Sequence, residues 1–81
     1  VNSAEIERTI MALLQKRKPD ASICPSDVAR ALWPDDWRAH MDNVRDVAYQ
    51  LVEAGTLHIT QGGLVVTHPR AAKGAIRLKR R

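Results

Sequence analysis

The stretch WPDDWRAHMDNVRDVAYQLVEAGTLHITQGGLVVT, Trp33 to Thr67, changes its apolar period once, and that change decides the fold. In its first half Trp37, Met41, Val44, Ala48, Leu51 and Val52 fall within a third of a helical circumference. Such a stripe predicts an amphipathic helix with that face turned inward. Asp35 or Asp36 is placed to cap its start, and the helix is expected to run to about Ala54. Gly55 is the natural stop, because glycine accepts the left-handed geometry of many helix ends. From Thr56 the period becomes two: Leu57 and Ile59 on one side, His58 and Thr60 on the other. Gly62-Gly63 supplies a tight turn, Leu64 to Thr67 returns as a second strand, and Pro69 ends it.

Upstream, Ile6, Ile10, Leu13 and Leu14 recur at helical spacing and predict a helix from about Ser3 to Lys16. Asn2 is placed to cap it, with Glu5 answering in a capping box. Glu5 and Glu7 near its start, and Lys16 and Arg17 near its end, complement the helix dipole. Pro19 forbids continuation. Ala21 to Cys24 reads as a short strand, and Pro25 opens a second helix that runs to about Leu32. Val28, Ala31 and Leu32 are its expected inward residues, and the Trp33-Pro34 pair closes it.

The resulting order is helix, short strand, helix, helix, hairpin. It predicts an α+β fold of winged-helix type: three helices plus a small antiparallel sheet with a C-terminal hairpin wing. The hairpin strands and the Ile23 strand would form three strands. A plain three-helix bundle with a loose hairpin is the alternative, disfavoured by the paired glycines between two β-branched runs.

The chain has 81 residues, 44% hydrophobic and 27% charged, which suits one small globular domain. Trp33, Trp37 and Tyr49 are the only aromatics, so the core must be mostly aliphatic. Cys24 is alone, which excludes an internal disulfide and implies no oxidising compartment. No apolar run reaches membrane length and no signal peptide is visible, so a cytoplasmic location is expected. The first residue is Val1 rather than Met, which leaves open a role as an appendage of a larger enzyme.

The net charge of +4 is unevenly spread. Arg70, Lys73, Arg77, Lys79, Arg80 and Arg81 supply six of the 13 bases with no acid among them. Residues 1–69 hold seven bases against nine acids. The reading therefore divides the chain into a winged-helix domain, 1–69, and a basic C-terminal tail, 70–81. Ile76 and Leu78 are expected to add at most a short edge contact. A basic tail attracts nucleic acid or another acidic surface; a solubilising end that frays is the plainer reading.

The runs Ile23-Cys24-Pro25-Ser26-Asp27-Val28-Ala29-Arg30-Ala31-Leu32, Trp37-Arg38-x-x-Met41-x-x-Val44-Arg45 and Thr60-Gln61-Gly62-Gly63 resemble the domain of unknown function 3253 family. So does the closing Gly74-Ala75-Ile76-Arg77-Leu78, with Ala75 standing where proline is expected. The resemblance covers most of the chain. It implies a small bacterial protein of winged-helix type, and no established activity.

If the third helix reads DNA, its outward face meets the major groove. That face carries Ala39, Asn43, Asp46, Gln50 and Glu53, with Asp42 alongside. Asn43 and Gln50 lie two turns apart and can pair with adenine; the three carboxylates argue for a merely solvated face. Arg38 and Arg45 flank Asp42 at spacings of four and three, which favours internal pairing, although both can reach phosphates. Tyr49 shares that flank. Gln61 and the Gly62-Gly63 backbone belong to the wing. Arg70, Lys73, Arg77, Lys79, Arg80 and Arg81 form the electrostatic anchor.

Cys24, His40, His58 and His68 offer four possible ligands but no pair shows zinc spacing, so no metal or other cofactor is expected. There is no phosphate loop and no nucleophile-and-base arrangement, so no enzyme and no small-molecule substrate are expected. The expected function is a non-enzymatic nucleic-acid-binding module whose partner is double-stranded DNA. The alternative is a protein–protein interaction module, binding a partner or itself, on a winged scaffold that does not bind DNA.

Overall fold

A computed structural model describes all 81 residues. The first helix, α1, spans Ser3–Gln15. It starts where the Asn2 side chain accepts from the Glu5 N–H at 3.0 Å. Ile6, Ile10 and Leu14 form its buried face. Strand β1, Ser22–Ile23, and helix α2, Pro25–Leu32, follow. The start of α2 is tied by the Asp27 carboxylate, which accepts from the Cys24 N–H at 2.9 Å. Pro25, Val28 and Ala29 are the buried residues of α2, while Leu32 is half-buried and Ala31 is exposed. Val28 and Ala29 point into the bundle, and the last turn carries Ala31 round to the surface.

The third helical segment differs from its expected form. Trp37–His40 make a 3-10 turn, and the α-helix α3 spans Met41–Glu53. Neither Asp35 nor Asp36 caps it; the Asp36 carboxylate lies 3.3 Å from His40 Nε2 instead. A 3-10 turn advances about 120° per residue against about 100° in an α-helix. The phase of Trp37 relative to α3 therefore slips, and Trp37 and the opening residue Met41 are both half-buried. Val44, Val47, Ala48 and Leu51 form the buried face. The helix closes as the Gly55 N–H bonds to Val52 O and the Thr56 N–H to Leu51 O.

Strand β2, Leu57–Gln61, turns at Gly62-Gly63 into β3, Leu64–Val65. Both glycines have positive φ, +57° and +83°, which the tight hairpin turn requires. Strand β4, Arg77–Arg80, completes an antiparallel sheet of four strands, in the order β1-β4-β2-β3. Leu78 pairs with Ile23 on one side and with Ile59 on the other. The expected three-stranded sheet is thus corrected to four strands, and the edge contact expected of Ile76 and Leu78 becomes a strand inside the sheet. The short β3 pairs only with β2, and β4 occupies the place beside β1. The cause is apolar burial: Ile76 and Leu78 are 2% and 0% exposed. A side chain of that size contributes about 1.5–3 kcal/mol when fully buried.

The core joins 14 buried residues from all three helices and from β1, β2 and β4, together with Ile76. The fold is α+β: three helices against a small antiparallel sheet, compatible with a winged helix whose wing is the glycine hairpin.

Candidate nucleic-acid interface

On α3 the buried residues lie on one side, so Asp42, Asp46, Tyr49 and Glu53 project on the other. The segment between β3 and β4 folds back over that outward side. A short 3-10 turn, Pro69–Ala71, carries Arg70 there. The Arg70 guanidinium donates through Nε and Nη2 to the two Glu53 carboxylate oxygens, each at 3.1 Å. Its Nη1 donates to Asp46 Oδ1 at 3.2 Å, and its carbon lies 5.2 Å from the Tyr49 ring centre. The hydrogen bond donated by Arg70 holds the Glu53 carboxyl below its ordinary range, and acceptance by Glu53 pushes Arg70 up.

Two further contacts hold this strap. Arg45 Nη2 donates to Gly74 O at 3.1 Å. Gln61 Nε2 donates to Lys73 O at 2.8 Å and to Ala75 O at 3.2 Å. The expected Arg38-Asp42-Arg45 ladder does not form: no ion pair joins those residues. Arg38 lies instead over the Trp37 ring, 4.4 Å from its centre, as does Arg30. Beside them Trp33 and His40 stack at 4.0 Å.

The proposed base-reading pair is divided. Gln50 Nε2 is engaged by Asp46 Oδ2 at 3.0 Å, while Asn43 stands exposed. Lys73 is exposed on the strap. Arg77 reaches across the sheet: its Nε donates to Ser22 Oγ at 2.6 Å, Nη2 to Ser22 O at 2.9 Å and Nη1 to Cys24 Sγ at 3.1 Å. It fastens β4 to β1.

The last bases gather elsewhere. Lys79 sits between Ser22 and His58 in the sheet register. Arg80 Nη2 donates to Arg17 O at 3.4 Å, and the Arg81 N–H donates to Thr56 O at 3.3 Å. Arg17 is thereby brought beside Arg80, so the exposed run Lys16, Arg17 and Lys18 meets the run Lys79, Arg80 and Arg81 at that contact, with Lys79 and Arg80 leaving opposite faces of the strand. Strand β2 enters the sheet here and reaches the glycine turn at its other end, so this basic pole lies away from the wing.

The family described as a protein of unknown function, DUF3253, matches residues 3–81. The chain belongs to that family. No curated protein matches this DUF3253 chain. Of the sequence-predicted site residues, Arg45, Gln61, Arg70 and Arg77 build the DUF3253 fold's own contacts. Arg80, flanked by Lys79 and Arg81, is brought to Arg17, and Arg38, Asn43 and Lys73 stand apart from that contact. In the sequence Lys16 and Arg17 are only helix-end charges, and Lys18 carries no role. Their unbroken basic run was the available signal, and its neighbours sixty positions away were not. No group of three or more His, Cys, Asp or Glu converges on a point. No helix is long and apolar enough to cross a membrane.

Proposed function

We propose that the chain is a non-enzymatic module that holds the phosphate backbone of double-stranded DNA at the pole formed by residues 16–18 and 79–81. The observation that carries this reading is the Arg80 contact with Arg17 O. It draws together two basic runs distant in sequence. The acceptor is a neutral carbonyl, so the contact leaves the charge uncompensated. Asp20 in the adjoining loop and Asp27, which lines a cavity with Lys16 and Arg17, are the acids at hand, fewer than the bases gathered there. Collected like charge opposes compactness and favours an anionic partner. Contacts to phosphate position a protein without reading sequence. The strap over Asp46 and Glu53 supports the same view, because it occupies the part of α3 that would otherwise enter a groove.

The test is fluorescence anisotropy with a labelled duplex over a salt series. Binding is expected at low salt, with affinity falling as salt rises. The double variant Lys16→Glu, Lys18→Glu should weaken all duplex sequences alike and reduce the salt slope by about two. Absence of binding at low salt, or indifference to that variant, overturns the proposal.

A second reading, an interaction module, is favoured by β3. Leu64 and Val65 are 76% and 53% exposed on an edge strand. Exposed edges of this kind accept a strand from another chain. Light scattering that shows only monomer, with and without Leu64→Lys, counts against self-pairing there.

A further inference from the structure

The trough between α1 and α2 belongs neither to the strap nor to the wing. Along α1, Arg8, Ala12 and Lys16 follow one another at spacings of four and so share one side, with Leu13 next to them on the flank toward α2. Across from them α2 presents Ala31 and Leu32. The two alanines are exposed and the two leucines half-buried, so small side chains leave an apolar floor between the helices. The open trough measures about 410 Å³. Arg8 and Lys16 border it roughly 12 Å apart along the helix axis. Both are exposed, and neither makes an ion pair. Glu5 is the one acid on its lining.

We infer that this trough docks an acidic, amphipathic helical segment of a partner protein. The apolar floor selects a segment with Leu-type or Ala-type residues at helical spacing, as in other helix-in-groove contacts. The two cations on the border select carboxylates flanking that face and repel a basic segment. This goes beyond the duplex reading and uses a different surface; Lys16 alone is common to both.

The test titrates the whole chain with a synthetic helical peptide, Leu and Ala on one face and Glu elsewhere, followed by amide NMR shifts. Two controls accompany it: the same composition scrambled to destroy the face, and a version with Lys for Glu. Shifts confined to Arg8, Ala12, Leu13, Ala31 and Leu32 are expected. Ala31→Glu, with helicity checked by circular dichroism, should weaken binding by at least about tenfold. Equal binding by the scrambled peptide overturns the inference, as do shifts centred on Leu64–Val65 or on 79–81, or no shifts at millimolar peptide. Duplex binding is measured in parallel. Ala31→Glu should leave it unchanged and Lys79→Glu should lower it, so the failure of either reading is seen separately.

Discussion

Arg70 grips Glu53 with two parallel hydrogen bonds of 3.1 Å, from a position 17 residues further along the chain. The planar guanidinium matches both carboxylate oxygens at once, a geometry that lysine cannot reproduce. Both side chains are more than half exposed, so the pair orders a segment without adding much to global stability.

Replacing Arg70 with Ala should therefore loosen the strap selectively. Amide hydrogen exchange across residues 66–74 is expected to rise by at least about tenfold, with the urea midpoint barely moved. Arg70→Lys should behave nearly like Ala. A large loss of global stability in Arg70→Ala would assign the strap to the cooperative core instead.

Acid should open the same clasp. The folded-state pKa of Glu53 is lowered, chiefly by its hydrogen bond from Arg70. A lowered acid contributes stability above its unfolded pKa and loses it as pH falls through the folded value. Exchange in residues 66–74 should rise on acidification below the ordinary glutamate range. Glu53→Gln should already show fast exchange at neutral pH and a flat response. A pH profile unchanged by Glu53→Gln would sink this assignment.

Leu78 tests the place of β4. It is fully buried between Ile23 and Ile59. Leu78→Ala should cost about 2–5 kcal/mol in urea unfolding. A cost within experimental error would mean that the last strand is not structural.

Gly62 and Gly63 can be separated from packing, because a Cβ at either would meet nothing within 4 Å. Their positive φ values alone set the cost of substitution. Gly62→Ala and Gly63→Ala should each destabilise by about 1–2 kcal/mol. Thermal melts of the two variants check this.

The local parts of the fold were legible. The alternation at Leu57 and Ile59, the paired glycines and the ridge through Val44, Ala48 and Leu51 are short-range patterns, and short-range physics sets them. Val47 escaped because the 3-10 turn at Trp37–His40 shifts the helical phase. The central strand escaped because Ile76 and Leu78 are two apolar residues among bases, and their partner Ile23 lies far upstream. The candidate site was less legible still. Nothing beside Arg70 in sequence points to Glu53, and nothing near Arg80 points to Arg17. Such pairings arise only once the sheet order is set.

That sheet order also governs how the protein can be made. Ile23 is added to the growing chain long before its neighbour Leu78. At synthesis rates of about 5–20 residues per second the wait is roughly 3–11 s. Throughout that interval β1 has no strand beside it, and β2, once made, waits likewise for β4. Nascent or prematurely terminated chains carry this gap, and open strand edges of that kind are what chaperones cover and aggregates exploit.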